Sequence, residues 1–347
     1  MTRKEITLKT IRGEQAPYTP YNFDLTMKMT DRLGEYYGYD SQAVEDYIGN
    51  HYLYVDVEGP DGVGSGYRSD SNEEIYYDEF GILWNAKRNY DIGDWGMVSK
   101  PIKDLNFEGY QFPDGKGEGR FNKAIVLMEQ YPDRLNVVRV YGPLTLGCNI
   151  AGMEDTLIGM ASEDKRAVFL LESTTNYIIN VINAMPKGID AVRLLDDYGT
   201  QSGTLISKEM WKKYVYPCLD AINDTIRKKG MIATLHSCGD TKDLFPYFID
   251  LGFEVLDPVQ PEATDIAFIK KEYGKYITLF GGLGSQSTIP LGTPFEVVKE
   301  AEDTLAFLGE GGKYILGPAG SIPTEAPIEN VVALVDFCKS QVTCEWI

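Results

Sequence analysis

The sequence predicts an α/β chain, a (β/α)8 TIM barrel with an N-terminal extension. Two observations carry that prediction. After Asn136 short apolar runs alternate with amphipathic helical patterns, the mark of βαβ units and a mainly parallel sheet. Polar residues also gather at the carboxyl end of nearly every run, which is where a barrel builds one active site from many strands. A doubly wound open sheet is the alternative, but it would concentrate them near a single crevice. A length of 347 residues suits one α/β barrel as well as two smaller domains. The chain therefore reads as one barrel domain over 1–347, with 1–130 holding the extension and first barrel elements and 131–347 the clear repeats.

The elements follow in order. Helical spacing is present around 22–37 and at 41–49, and YLYVDV at 52–57 alternates like a strand. Turns are explicit in GPDGVGSG at 59–66 and in PDGKGEG from Pro113 to Gly119. The 67–112 stretch, with DEFGILW at 78–84, reads as irregular or hairpin structure. The strands of the regular part are VVRVYG from Val137, AVRLLD from Ala191, MIATLH from Met231, EVLDPV from Glu254, YITLFGG from Tyr276 and YILGP from Tyr314. With 52–57 and one further strand they make eight. Ser207 is an N-cap for a stripe of Met210, Tyr214 and Cys218 that stops at Gly230. Helices over Lys242–Leu251 and Pro294–Leu308 end at Gly252 and Gly309.

Composition limits the function. Acidic residues outnumber basic ones by 52 to 33, and a net charge of −19 repels polyanions, so neither nucleic acid nor an anionic membrane is expected as a partner. No run nears the roughly 18–20 apolar residues of a membrane span. The N-terminal MTRKEITLKTIRGEQ has no apolar leader core. Five thinly spread cysteines make a disulfide framework improbable, and the cytoplasm is the expected compartment.

His236-Ser237-Cys238-Gly239 is the sharpest local signal. Residues i and i+2 of a strand share a face, so the imidazole and the thiol come within reach of one ion, and nitrogen plus thiolate is preferred zinc chemistry. The plain alternative is a strand-end histidine bonded to backbone beside a buried thiol. Asp196 and Asp197 close their strand, and phase with Val192 and Leu194 turns Asp196 toward the barrel axis as a general acid, ligand or substrate anchor. Turn capping is the competing role. Gln201, Gln260, Glu262 and Gln286 follow strands, where they would orient polar ligands. Gly281-Gly282-Leu283-Gly284 fits no nucleotide loop, and His51 reads as packing or surface. Without G-x-S-x-G or a second suitable histidine, triad hydrolysis is excluded.

LDDYGTQSGTLISKEMWKKYVYP (195–217), TLHSCGD (234–240), GFEVLDPVQPEA (252–263), ITLFGGLGSQ (277–286) and YILGPAGSIPTEAPIENVVALVDF (314–337) resemble the uroporphyrinogen decarboxylase superfamily, in family order. DEFGILW at 78–84 extends the likeness towards full length. The resemblance implies a (β/α)8 barrel and one of two chemistries. One is cofactor-free decarboxylation of uroporphyrinogen. The other is methyl transfer to or from corrinoid proteins, with zinc held by an H-x-C pair and a distant cysteine. The N-terminal arginine motif that binds the porphyrinogen carboxylates is absent from FDLTMKMTDRLGEYYGY, which disfavours the first. His236 and Cys238 meet the methyltransferase pattern, while Gly320 stands where the distant cysteine is expected.

The third ligand is then sought among Asp196, Asp257 and Glu262, with Glu262 placed in the metal set. A site with fewer thiolates is a harder Lewis acid, suited to an ether or alcohol oxygen. The expected function is therefore methyl transfer from a small O-methylated substrate, an aromatic methyl ether, to the Co(I) cobalamin of a separate corrinoid protein. Asp196, with Asp197 beside it, would supply a ligand or a proton. Gln201, Gln260 and Gln286 would hold the substrate. A metal-free decarboxylase is the alternative, and a non-catalytic docking subunit the further one. A homodimer is common among proteins of this resemblance, though no residue here argues for it.

Overall fold

The computed structural model describes residues 1–59, 68–69, 75–89 and 94–343. Most of the 59–66 turn and Cys344 lie outside them. Seven parallel strands form the central sheet: β1 (Tyr52–Asp56), β2 (Leu135–Tyr141), β3 (Ala191–Leu195), β4 (Ile232–His236), β5 (Val255–Val259), β6 (Thr278–Leu283) and β7 (Tyr314–Pro318). Their spatial order is their chain order. An open doubly wound sheet would reverse direction at a switch point, so this order identifies the barrel.

An extended segment occupies the position between β7 and β1. Tyr21 and Leu25 make parallel bridges to Leu316 and Ile322. Asn22 N donates to Leu316 O at 3.0 Å, and on the other side His51 N donates to Tyr21 O at 3.2 Å and Tyr52 N to the Asn22 side chain at 3.0 Å. Residues 22–26, expected as the start of a helix, are therefore the closing edge of the barrel. The helix begins at Met27, where the Thr26 hydroxyl accepts from Met29 N. This edge also carries Asp24 toward the mouth of the barrel.

Which strand residues face the axis is settled by packing. Tyr52, Leu135, Val137, Ala191, Val255, Phe280 and Ile315 form one small buried cluster with Ile11 of the N-terminal helix Arg3–Arg12. Those side chains fill the barrel interior, and Ile11 joins them from below. Val192 and Leu194 belong instead to the large outer core shared with the helices. Arg193 shares the phase of Ala191 and so points inward, with Arg139 and Thr234 beside it in register.

The described strands between Arg68 and Ser99 form an antiparallel sheet, as the hairpin reading anticipated. Arg68–Ser69, Ile75–Tyr77, Leu83–Asn89 and Asp94–Ser99 pair in that order. The turn at Asp78–Ile82 is closed by Gly81 N donating to Asp78 O at 3.0 Å, with Gly81 at φ +80°, a conformation that favours glycine. Among the described residues no helix is long and apolar enough to cross a membrane.

Candidate metal and substrate site

The site is built where β3, β4 and β5 end. His236 lies opposite Asp257 in the β4–β5 register and opposite Leu195 in the β3–β4 register. Its Nδ1 stands 2.5 Å from Asp257 Oδ1, and its Nε2 stands 3.4 Å from Cys238 Sγ. The i, i+2 reading of His236 and Cys238 therefore holds. Asp197, exposed at the end of β3, completes a group of three whose ligand atoms all lie within 4.8 Å of one another. It also accepts from Cys238 N at 2.8 Å, which ties the two loops together.

Behind this group runs a buried charge network. Arg193 donates through Nε and Nη2 to Asp257, at 3.0 Å and 2.5 Å, and through Nη1 to Asp24 at 3.2 Å. Its guanidinium lies over the Tyr54 ring. Burial disfavours charge on Asp257, but Arg193 and His236 outweigh it and hold the carboxyl below its usual range. Burial likewise opposes charge on His236, yet the Asp257 carboxylate prevails and moves the imidazole up to about 10. A cation taking up Nε2 must displace its proton, so metal binding here releases protons.

The other predicted residues fall differently. Asp196 does not face the axis. It follows the phase of Val192 and Leu194 as expected, but that phase points to the helix layer, and the side chain is fully buried. It accepts from Thr145 N at 2.6 Å, from Leu144 N at 3.3 Å and from the Tyr198 hydroxyl. The helix Pro143–Ala151 has no side-chain cap of its own, because Gly142 stands at its N-cap. Asp196 supplies that cap from another strand, and a Cβ on Gly142 would stand 2.3 Å from the Asp196 Cβ. Burial, only partly offset by these donors, pushes Asp196 up to about 6.

Glu262 lies outside the three-residue group. Its Oε1 accepts from Gln286 N at 3.0 Å and from the Ser287 hydroxyl at 2.9 Å, which fastens the loop after β6. Gln260 is buried and accepts from Gly239 N at 3.0 Å, so it shapes the turn behind Cys238. His51 is buried packing, with Nδ1 2.9 Å from Tyr21 O and Nε2 3.2 Å from the Tyr18 hydroxyl.

A cavity of about 950 Å³ opens over the group. Gln201, Gln260, Gln286 and Gly320 line it, together with Asp24, Asp56, Arg139 and Arg193 from the barrel. The hairpin turn adds Asp78, Glu79, Phe80 and Ile82, with Trp84 beyond them. Arg120 anchors that turn by donating to both carboxylate oxygens of Glu79, at 2.8 Å and 2.6 Å, and the Tyr177 hydroxyl donates to Glu79 at 2.7 Å. Gly320 has φ +145°, and a Cβ there would meet only Ser285 Oγ, at 3.4 Å. The expected distant cysteine therefore maps to the cavity wall, at a backbone conformation that L side chains rarely adopt.

Arg193, Asp24, Arg139 and the hairpin acids escaped the sequence reading. A usable signal existed. Charged residues stand mid-strand in both AVRLLD and VVRVYG, and such a residue in a parallel strand needs a partner inside the barrel.

The uroporphyrinogen decarboxylase (URO-D) family matches residues 102–341. The chain belongs to that family. Among curated relatives of this URO-D chain, a methylated-thiol–coenzyme M methyltransferase of Methanosarcina mazei is 24% identical over 260 residues, covering 73% of this chain and 68% of the relative. A methylcobamide:CoM methyltransferase of Methanosarcina barkeri is 26% identical over 205 residues, covering 59% of this chain and 58% of the relative. A uroporphyrinogen decarboxylase of Coxiella burnetii is 25% identical over 173 residues, 49% of this chain and 46% of the relative. A solved methyltransferase from Methanosarcina mazei superposes with a TM-score of 0.74 over 98% of this chain and 99% of that one, at 19% identity, and so shares the fold.

Proposed function

We propose that this URO-D family chain is a methyltransferase that takes a methyl group from a small O-methylated substrate, an aromatic methyl ether, and delivers it to the Co(I) of a separate corrinoid protein. The observation that carries the reading is the 3.4 Å separation of His236 Nε2 and Cys238 Sγ. Ligands at ordinary Zn–S and Zn–N bond lengths in a tetrahedron stand about 3.5 Å apart, so the pair already has the spacing of one tetrahedron edge. Asp257 strengthens the case. Histidines that bind metal almost always give their other ring N–H to a carboxylate or carbonyl, which fixes the tautomer.

Asp197 is the third ligand in this reading, in place of Glu262. His236, Cys238 and Asp197 are the residues that would hold zinc, which when bound would supply Lewis acidity at the ether oxygen. The chain's own task is positioning. Phe80, Trp84 and Tyr177 wall the cavity for an aryl ring, and Gln201 and Gln286 orient its polar substituents at the rim. Asp196 keeps the helix at Pro143 in place rather than handling a proton. One thiolate where relatives of the methyltransferase type are expected to offer two makes a harder site, which favours oxygen over a thiol acceptor. Decarboxylation of a polycarboxylate gains no support, because the only guanidinium groups among the described lining residues, Arg139 and Arg193, are already paired with aspartates.

The test is metal content of the purified chain by mass spectrometry, beside His236→Ala. About one zinc per chain, lost in the variant, is expected. A chain that retains no zinc after incubation and removal of the excess would rule the mechanism out. A zinc-loaded chain that demethylates no aryl ether with a competent Co(I) partner would rule out the substrate.

A further inference from the structure

The charged groups around the cavity already have partners within the chain. Asp78 accepts from Phe80 N, Ile82 N and Trp84 Nε1, and Glu79 from Arg120 and Tyr177. Asp56 pairs with Arg139, and Asp24 with Arg193. Among the described lining residues that are more than nine-tenths buried, two side chains keep a polar group unpartnered. They are Gln260, 3% exposed, and Ser285, 6% exposed. Gln260 Oε1 accepts from Gly239 N at 3.0 Å. A backbone N–H can only donate, so this bond fixes which end of the amide is oxygen and leaves the NH2 group over. Neither Gln260 Nε2 nor Ser285 Oγ makes a hydrogen bond among the described residues.

The chain sets both groups in place. Gln260 directly follows β5 and Ser285 stands two residues beyond β6, and those strands are neighbours in the sheet. Glu262 ties the two loops together by accepting from Gln286 N and from the Ser287 hydroxyl, just past Ser285. Gly320 leaves the space over Ser285 open, since a Cβ there would stand 3.4 Å from the hydroxyl oxygen. Gly239, which the amide holds, follows Cys238 in the chain, so Gln260 lies at the metal end of the cavity and not at the hairpin end. A substrate that covers these two groups without matching them leaves buried donors unsatisfied, which weighs directly against its binding.

We infer that Gln260 and Ser285 form a subsite for a second oxygen on the substrate: the ring carries a hydroxyl on the carbon next to its methoxy group, accepting from Gln260 Nε2 and donating to Ser285 Oγ. The inference rests on the aryl-ether reading above and adds the neighbouring substituent. Its place beside the methoxy group follows from the link that Gly239 makes between the Gln260 amide and Cys238. An aryl ether with an apolar group at that carbon leaves both partners unmatched, and sites built to bond a substrate hydroxyl discriminate strongly against the analogue that lacks it. The subsite is neutral, so it selects oxygen through hydrogen bonding, and salt should leave the selection nearly unchanged.

The test compares ortho-methoxyphenol with ortho-methoxytoluene, in which a methyl group of similar size replaces the hydroxyl. Binding to the full-length chain is measured by titration calorimetry, with zinc supplied and with metal removed, at low and at high salt. The phenol is expected to bind about tenfold or more tightly in all four conditions, because the donors belong to the chain and not to the metal. Gln260→Met and Ser285→Ala should each reduce that preference. If Gln260→Met does not fold, Ser285→Ala and the wild-type preference remain the test. Equal binding of the two probes, a preference lost on metal removal, or one undiminished in either folded variant would overturn the inference and leave the aryl-ether reading standing. Binding of neither probe would overturn both.

Discussion

The contact between Asp257 and His236 gives the most direct test of the site. Asp257→Asn keeps the shape of the side chain and removes its charge. Asp257 is 2% exposed, sits 2.5 Å from His236 Nδ1, and receives two further donors from Arg193. An asparagine presents only one acceptor oxygen to these three donors, and its NH2 group turned to Nδ1 would select the tautomer with the proton on Nε2. That is the nitrogen facing Cys238. Loss of a second-sphere carboxylate of this kind weakens metal affinity about 10–100-fold, or about 1.4–2.7 kcal/mol. The assay is competition for zinc against a chromophoric chelator, with thermal unfolding measured in parallel. Arg193 keeps its bond to Asp24 in the variant, so the fold should survive at some cost. An Asp257→Asn protein that folds and binds zinc as tightly as the parent would show that the carboxylate does not orient the ligand.

Two further outcomes concern stability. Burial outweighs all else at His51 and moves it from 6.5 down to about 3, so the folded state holds the ring neutral where the unfolded chain takes up a proton. Its contribution is whole above pH 6.5 and is lost as pH falls from there toward 3, at most about 4–5 kcal/mol. Denaturant unfolding of the parent and of His51→Gln between pH 7 and pH 4 should converge, and a pH-independent difference would refute the assignment. Asp196→Ala removes the acceptor for two helix N-terminal amides and the Tyr198 hydroxyl in a fully buried place, and should cost about 2–4 kcal/mol. Calorimetric unfolding would measure it, and zinc content should be unchanged. Loss of zinc from a folded Asp196→Ala would restore that residue to the metal site.

The strands after residue 130 were legible because each is a short apolar run between capped helices, and the turn chemistry at Ser207, Gly252 and Gly309 marks their ends. The closing edge at 20–26 was not legible. Its hydrogen bonds go to β7 and to residues beside β1, and long-range pairing leaves no periodic trace in a single short segment. The pair His236 and Cys238 was legible because i, i+2 geometry is local. Asp196 was misplaced for a reason particular to barrels. Strands covered on both faces show no polar and apolar alternation, so the phase of Asp196 was read correctly but its direction was not. Arg193 holds the missing information, since its inward position puts the intervening residues, Asp196 included, against the helices.

The same parity explains why charge can accumulate at this mouth. Arg193 and Asp257 occupy inward mid-strand positions on either side of His236, which ends the strand between them where the barrel interior gives way to the cavity, and Asp24 joins them from the closing segment. On the reading proposed here, replacing a distant cysteine by Asp197 leaves the ligand charge unaltered, since a carboxylate carries the same charge as a thiolate. What changes is softness, toward oxygen chemistry. The strained backbone at Gly320 resists return of a side chain there. A Gly320→Cys protein should therefore gain little zinc affinity despite the added thiolate, and a gain of tenfold or more would mean that Asp197 had never filled the third position.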